Sequence, residues 1–240
     1  MDNNFTILIP SRIGSSRLKN KPLVDINGMT LIERVFKNSL EITNKTYIAT
    51  DSELILNHVQ MFTQNVLMTS KMHISGTDRV FEAAENLNID DDTLIINLQG
   101  DEPFIPKDLI EQLVDDFYKN PCDVISACHP IKNLSDLDNP NCVKVLSDAS
   151  GYAQSFHRKI ESNNNPMRHL GIYGYKMKTL RKLINLKPTK NELIHKLEQL
   201  RFMDNNYSIY ITTYKSEVPS GIDTQDDVIE AINFLIANGN

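Results

Sequence analysis

A loop rich in cations is the part of the chain best suited to bind an anion. The apolar run at residues 7–9 stops at Pro10, and four cations follow within ten positions: Arg12, Arg17, Lys19 and Lys21. Like charges at this spacing repel one another, which favours a bound anion, and Gly14 and Ser15 let backbone N–H groups approach it. A solvated basic loop is the alternative interpretation. Because the loop directly follows an apolar strand, and ligands of open α/β sheets bind at the carboxyl ends of strands, we predict a polyphosphate site.

Two aspartates are candidates for a metal site beside that polyphosphate. Asp101 lies in the segment Gln-Gly-Asp-Glu-Pro, directly after the apolar run at residues 94–98, and Asp223 lies in Ser-Gly-Ile-Asp-Thr. Mg²⁺ is a hard cation that binds carboxylates and phosphate oxygens, so two such aspartates would form a clamp for in-line displacement. The alternatives are structural: Asp101 in a turn that caps the next helix, and Asp223 as an N-terminal cap.

Three further segments carry polar groups that could bind a ligand, and each also has a purely structural interpretation. Ser75 opens Ser-Gly-Thr-Asp, which either caps a helix or presents hydroxyl and N–H groups to a ligand. His169 stands in a stretch that mixes donors with an apolar strand, where a satisfied core histidine is the alternative. Glu198 and Arg201 are three residues apart on a helix and could simply pair at the surface. Four more histidines do not have the spacing of metal ligands, and we assign them no role: His58, His73, His129 and His195.

The elements that must position these residues alternate between strand and helix in the first half of the chain. Short apolar runs predict strands at residues 7–9, 46–49, 66–68 and 94–98. Apolar residues at 3.6-residue spacing predict helices at residues 31–40, 79–87 and 109–118. Such alternation is typical of a parallel, doubly wound α/β sheet.

The second half is less regular. Residues 143–146 and 152–156 flank the turn Asp-Ala-Ser-Gly, which predicts a hairpin. The other predicted strands are residues 123–128, 171–175 and 208–213, and the predicted helices are residues 177–186, 192–204 and 224–237.

Composition bounds the class of protein. A chain of 240 residues with 40% hydrophobic and 23% charged residues is typical of a globular protein. Its formal net charge of −6 argues against broad nucleic-acid binding. We expect no membrane span and no signal peptide, and three cysteines without a C-x-x-C pair indicate a reducing cytoplasm rather than disulfides or zinc. The chain has neither a G-x-G-x-x-G fingerprint nor a P-loop, which disfavours dehydrogenases and common NTPases.

Taken in order, these motifs resemble the 3-deoxy-manno-octulosonate cytidylyltransferase family, also called CMP-Kdo synthetases. The segments that carry the resemblance span nearly the whole chain: residues 9–28, 75–79, 96–103, 141–145, 169–175, 197–201 and 221–224. The resemblance implies a Rossmann-like nucleotidyltransferase fold, with a mostly parallel sheet flanked by helices and a smaller sugar-binding and dimerisation part. We expect one cytidylyltransferase domain over residues 1–240, with a nucleotide-binding core at about 1–125 and 205–240 and the smaller part at about 126–204.

The resemblance also implies a reaction and roles for residues. The family transfers CMP from CTP to the sugar acid Kdo and releases pyrophosphate, for lipopolysaccharide biosynthesis, usually as a cytoplasmic homodimer. By motif, the triphosphate contacts are Arg12, Ser15 and Lys21, and the residues that help to hold cytidine are Ser75 and Gln99. The implied Mg²⁺ ligands are Asp101 and Asp223, with Lys21, Arg12 and Asp101 as catalytic residues. The residues that would face the sugar are Gln99, Arg158, His169, Tyr173, Glu198 and Gln199.

One segment departs from the family pattern. The family has a longer stretch with proline, tryptophan and a sugar-binding arginine where this chain has residues 159–167, which contain no tryptophan and no arginine, and His157 stands where serine is usual. Related acceptors, such as 8-amino-Kdo or a nonulosonic acid, are therefore alternatives, although residues 99–103 and 197–201 favour the octulosonate group. A catalytically weak nucleotide-binding protein is a third hypothesis, which the presence of both Asp101 and Asp223 disfavours.

Overall fold

The computed structural model describes residues 4–15, 17–160 and 165–239. The chain divides into two compact units. Unit 1 comprises Met1–Lys107 with Pro219–Asn240, and unit 2 comprises Asp108–Val218.

Unit 1 contains four parallel strands in the order β3-β2-β1-β4. The strands are β1 (Phe5–Ser11), β2 (Thr46–Thr50), β3 (Val66–Met68) and β4 (Leu94–Leu98). The helices are α1 (Leu31–Leu40), α2 (Glu53–Val59), α3 (Gly76–Asn86) and, near the carboxyl end of the chain, α8 (Gln225–Ala237), and a short 3-10 helix covers Lys21–Leu23. β1 pairs with β2 on one side and with β4 on the other. β2 and β3 are added on the first side and β4 on the opposite side, so the strand order reverses between β1 and β4. Ligand crevices form at such points.

The sequence patterns explain why these elements form. β4 is buried along its whole length, as expected for a parallel strand covered on both faces. The buried positions of α1 follow the predicted apolar stripe, and α3 begins with a capping box in which Ser75 and Asp78 exchange side-chain and backbone hydrogen bonds.

The predicted parallel α/β arrangement is confirmed in unit 1, with two differences in detail. Helix α2 was not predicted, and α3 begins at Gly76 rather than at residue 79 because its capping box lies before the first apolar residue. Thr30 occupies the N-cap position of α1 but makes no capping bond, since its hydroxyl is hydrogen bonded to His58 Nε2 at 2.8 Å.

Unit 2 is built on a mixed sheet. Its strands are β5 (Val124–Pro130), β6 (Lys144–Ser147), β7 (Ala153–His157), β8 (Met167–Lys176) and β9 (Ile209–Thr213). β5 pairs with β9 in parallel and with β8 antiparallel, while β6 pairs antiparallel with both β7 and β8. The predicted hairpin is therefore confirmed as β6 and β7. The helices are α4 (Lys107–Lys119), α5 (Met177–Leu183), α6 (Lys190–His195) and α7 (Gln199–Asp204), and a 3-10 helix covers Leu134–Leu137.

The single helix predicted at residues 192–204 is wrong. The structure has two helices, α6 and α7, separated at Lys196, whose φ of 54° is left-handed. The sequence carries no glycine or proline here to mark a break. The lysine carbonyl instead accepts a hydrogen bond from Arg158, a residue far away in sequence. Within the described residues, no helix has the length and apolar character needed to cross a membrane.

Candidate active site

The basic loop places Lys21 in a one-turn 3-10 helix after β1. Asn20 takes the left-handed conformation before it, with φ 52°, and its carbonyl accepts a hydrogen bond from Leu23 N at 2.8 Å. Pro22 is buried at the start of the turn, and its fixed φ suits the first turn of a helix. The lysine side chain is therefore directed by a turn anchored in the core.

Asp101 follows the carboxyl end of β4, which is the strand that pairs with β1. Gly100 makes this close approach possible, because a Cβ there would lie 2.9 Å from the carbonyl oxygen of Pro10 at the end of β1. The segment that carries Asp223 packs against the same turn. A Cβ on Gly221 would lie 3.2 Å from the Asp101 carbonyl oxygen, and Ile222 N donates to that oxygen at 2.8 Å. Two glycines thus bring three distant segments together.

The three charged groups meet at one point. Lys21 Nζ donates to Asp101 Oδ2 at 2.5 Å and to Asp223 Oδ1 at 2.9 Å. Arg17 Nη2 contacts the other carboxylate oxygen of Asp223 at 2.9 Å. Burial by itself lowers the pKa of Lys21, but the nearby carboxylate of Asp101, and then that of Asp223, raise this pKa above its ordinary value. Lys21 is therefore an ammonium throughout the physiological pH range.

The capping interpretation of Asp223 is wrong. Helix α8 is capped by Thr224, whose hydroxyl accepts from Asp227 N at 3.3 Å, while the carboxylate of Asp227 accepts from Thr224 N at 2.7 Å. The Asp223 carboxylate is directed instead to Lys21 and Arg17. The carboxylate of Asp101 is likewise bound to Lys21, and its role as a metal ligand stays a prediction.

A cavity of about 200 Å³ in unit 1 gathers most of the predicted nucleotide residues. Its lining includes Arg12, Lys21, Ser75, Gln99 and Asp101. Among the residues that the structure describes, Arg12 has no hydrogen-bond or ion-pair partner, and its side chain is exposed. Ser15 is not part of this lining, and its hydroxyl accepts from Leu18 N at 3.3 Å.

Ser75 and Gln99 both line the cavity near the start of α3. The hydroxyl of Ser75 accepts from Asp78 N at 3.1 Å, so the capping interpretation of this motif is confirmed. Gln99 donates to Asn97 Oδ1 at 3.0 Å and faces Gly76, where an added Cβ would lie 3.5 Å from its amide oxygen. Gly76 therefore leaves the Gln99 amide accessible at the cavity wall.

Helix α3 fixes one wall of the cavity through two side chains that the sequence interpretation left without a role. Arg79, 3% exposed, donates to Asp51 Oδ2 at 2.7 Å and to Thr69 Oγ1 at 2.5 Å. Glu82 accepts from Ser70 N at 2.8 Å and is hydrogen bonded to His73. Partial burial acts to raise the pKa of Glu82, but these hydrogen bonds hold the pKa below its ordinary value.

Sequence reasoning assigned no site role to His73 and Arg79, which line the cavity. Arg17, predicted only as part of the basic loop, binds Asp223. Arg79 directly follows the Ser-Gly-Thr-Asp motif, and this adjacency was the signal that could have identified it. No pattern marked His73, because its partner Glu82 lies nine residues away on the next helix.

The predicted sugar-binding residues all lie in unit 2 except Gln99. His169 is buried in β8, where its Nε2 is 2.8 Å from the hydroxyl of Ser126 and its ring packs against those of Phe156 and Tyr173. Burial lowers the pKa of His169 to about 3 and raises that of Tyr173. Both rings are therefore neutral at physiological pH. This arrangement is that of a satisfied core histidine, and its contact with a sugar stays a prediction.

Arg158 and Lys144 are engaged by backbone carbonyls. The guanidinium of Arg158 donates to the carbonyls of Pro140, His195 and Lys196 at 2.7, 2.7 and 2.8 Å. Lys144 is fully buried, and its ammonium donates to the carbonyls of Asn139, Cys142 and Arg158 at 2.9, 2.7 and 2.6 Å. Every acceptor is backbone, so these two cations hold loops in place.

Glu198 and Gln199 follow the break between α6 and α7. Glu198 Oε1 accepts from Arg201 Nη2 at 2.6 Å, so the predicted pair exists, although Arg201 is buried rather than at the surface. Gln199 is also buried. Residues 161–164 of the segment 159–167 lie outside the described residues.

Comparison with known proteins agrees with this geometry. A family model described as cytidylyltransferase matches residues 6–211. A 3-deoxy-manno-octulosonate cytidylyltransferase of Haemophilus influenzae is 37% identical over 98% of this chain and 100% of its own length. The chain belongs to the cytidylyltransferase family, among the 3-deoxy-manno-octulosonate cytidylyltransferases. Another member, from Histophilus somni, is 35% identical over 97% of this chain and 98% of its own length. The chain is thus a nucleotidyltransferase by family.

Solved structures give the same assignment. The structure of a CMP:2-keto-3-deoxy-manno-octonic acid synthetase complexed with CTP matches with a TM-score of 0.88 and 32% identity, covering 99% of this chain and 100% of that one. A 4-diphosphocytidyl-2C-methyl-D-erythritol synthase from Anaerococcus prevotii matches with a TM-score of 0.64 at 14% identity, over 98% of this chain and all of that one, and this likeness concerns the fold alone. The fold class predicted for this cytidylyltransferase family is confirmed.

Proposed function

We propose that this chain transfers CMP from CTP to the anomeric hydroxyl of 3-deoxy-manno-octulosonate (Kdo). The hydroxyl oxygen bonds to the α-phosphorus, the bond between that phosphorus and the bridging oxygen breaks, and pyrophosphate leaves. The observation that carries the proposal is the convergence of Asp101 and Asp223 on Lys21 beside the cavity. Pure nucleotide binding requires no such pair of carboxylates.

The residues around the cavity act mainly by positioning and by charge. Arg12 and Lys21 would neutralise the leaving pyrophosphate, since phosphoryl transfer depends on stabilising charge that develops on its oxygens. Ser15 would contact the triphosphate, and Ser75 and Gln99 would hold cytidine. The exposed guanidinium of Arg12 supports this assignment, since it has no partner among the described residues to give up.

Asp101 and Asp223 fit a divalent cation, for which we propose Mg²⁺. Their carboxylates converge on one ammonium, and carboxylate oxygens are ligands that Mg²⁺ accepts. No cluster of three His, Cys, Asp or Glu side chains suited to a metal occurs among the described residues, so phosphate and water oxygens would complete the shell. Bound there, Mg²⁺ would offset negative charge on the reacting phosphate.

On the acceptor side, His169, Tyr173, Glu198 and Gln199 are the proposed contacts of the sugar acid, with Gln99 and Arg158. Arg158 would need to leave its three backbone carbonyls before it could bind a carboxylate. The departure at residues 159–167 favours a second candidate acceptor, a related ulosonic acid such as 8-amino-Kdo. In either case we propose a cytoplasmic homodimer that serves lipopolysaccharide biosynthesis, with residues 126–204 as its sugar-binding and dimerisation part.

The test is an acceptor panel. The protein is incubated with CTP, Mg²⁺ and one acid at a time: Kdo, 8-amino-Kdo or a nonulosonic acid. Pyrophosphate release and the nucleotide sugar are then quantified. We expect release with Kdo. Release with 8-amino-Kdo alone would transfer the assignment to that sugar, and no release with any acid would contradict the proposed reaction.

A further inference from the structure

The ammonium of Lys21 lies where the proposed metal site needs a cation. It is within hydrogen-bond distance of one oxygen on each of Asp101 and Asp223, and its side chain is only 15% exposed. The two carboxylates are themselves 31% and 36% exposed. This ammonium therefore bridges two like charges at the edge of the cavity, while Arg17 contacts the other oxygen of Asp223. Without it they would repel each other across a partly desolvated gap.

A divalent cation and this ammonium cannot both occupy the gap. The ammonium already takes Asp101 Oδ2 and Asp223 Oδ1, Arg17 contacts the other oxygen of Asp223, and a metal ion would carry charge of the same sign. Lys21 is tied to the core through the short helix that contains the buried Pro22, so only its flexible stem allows the ammonium to move. Once displaced, the ammonium needs a new anionic partner, and a triphosphate in the adjoining cavity would supply one. Lys21 itself lines that cavity, so the exchange needs only a change of side-chain rotamer.

We propose that Lys21 holds Asp101 and Asp223 in place and excludes a divalent cation until a nucleoside triphosphate draws its ammonium away. This inference rests on the proposed function, and it adds an order to that function: the metal binds together with the nucleotide rather than before it. Because binding free energies are linked reciprocally, the ligand that releases the ammonium also gains affinity from the metal.

The test measures metal binding alone, with no nucleotide and no sugar. Mn²⁺ is titrated into each protein, and free Mn²⁺ is followed by electron paramagnetic resonance. Lys21→Met removes the competing ammonium, so we expect it to bind Mn²⁺ at least about 10-fold more tightly than the unmodified protein. Lys19→Met is the matched control, because it removes an exposed lysine two residues away and so reports the general effect of one lost positive charge.

A double variant locates the bound ion. Lys21→Met combined with Asp101→Asn should lose the added Mn²⁺ affinity, because one of the two carboxylates is gone. Circular dichroism checks the fold of each variant, and Lys21→Gln replaces Lys21→Met if the latter does not fold.

Mn²⁺ binding by the Lys21 variant that is no tighter than that by Lys19→Met would overturn the inference. So would tight binding that survives Asp101→Asn. Because neither CTP nor sugar is present, this result is independent of the acceptor panel. If the unmodified protein transfers CMP but Lys21→Met leaves the Mn²⁺ affinity unchanged, only this inference is contradicted and the proposed function stands.

Discussion

Lys21 of unit 1 and two cations of unit 2, Lys144 and Arg158, have different kinds of partner. In unit 1, Lys21 is bonded to the carboxylates of Asp101 and Asp223, beside an open cavity. In unit 2, Lys144 and Arg158 are each bonded to three backbone carbonyls among the described residues. Both lysines are shielded from water. They differ in their hydrogen-bond acceptors: Lys21 donates to side-chain carboxylates, whereas Lys144 donates to backbone carbonyls.

This difference separates binding groups from scaffold groups. A carboxylate that loses its ammonium can bind another cation, and the ammonium can bind a phosphate. A buried carbonyl that loses its donor has no replacement and costs free energy. We infer that Lys21, Asp101 and Asp223 of unit 1 serve ligands, whereas Lys144 of unit 2 serves the fold.

The largest expected effect is on turnover in unit 1. Asp101→Asn keeps the shape of the side chain but removes the charge that would bind a cation, so kcat should fall on the order of 10³-fold while the KM for CTP changes much less. Steady-state pyrophosphate release measures both constants. Asp226→Asn, an exposed aspartate on α8, is the control and should retain turnover. Near-normal turnover of Asp101→Asn would remove this residue from the mechanism.

The next effect is on the stability of unit 2. Lys144→Met leaves three carbonyls without their donor, so the free energy of unfolding should fall by roughly 3 kcal/mol. Urea titration measures this change. Lys159→Met, at an exposed neighbouring position, controls for the lost charge and should have little effect. If the two variants were equally stable, the buried ammonium would contribute nothing to the fold.

A smaller effect is expected from pH. Burial holds the pKa of His169 at about 3, below the 6.5 of an unperturbed histidine, so between these values the unfolded chain binds more protons than the folded one. Stability is therefore lost as the pH falls below about 6.5, and His169 accounts for about 2 kcal/mol of the loss by pH 5. Urea titrations at pH 7 and pH 5 measure the free energy of unfolding. Its decrease between the two pH values should be smaller by this amount in His169→Gln than in the unmodified protein. An identical pH dependence in both proteins would indicate that His169 is accessible to protons in the fold.

Local patterns in the sequence were sufficient to predict the strands of unit 1, where a continuous apolar run defines β4. The approach of Asp223 to Asp101 does not follow from strand order, because the preceding strand β9 ends at Thr213; it depends on the contacts of Gly221 and Ile222 with the Asp101 carbonyl. The break at Lys196 was not predictable, because Arg158 stabilises it from 38 residues away. The burial of Lys144 was hidden for a different reason: a lysine in sequence looks like a surface residue, although two of its carbonyl acceptors, those of Asn139 and Cys142, are local. Long-range hydrogen bonds to the backbone leave no local pattern.

Titration of CTP in the presence of Mg²⁺ tests the contrast between the units most directly. Isothermal titration calorimetry compares the unmodified protein with Arg12→Met, which removes an exposed cation at the cavity, and with Lys144→Met at a temperature where both variants are folded. The account predicts CTP affinity at least about 10-fold weaker for Arg12→Met, since a hydrogen bond to a charged group contributes about 1.5–3 kcal/mol, and unchanged affinity for Lys144→Met. Equal losses in both variants, or no loss in Arg12→Met, would contradict it.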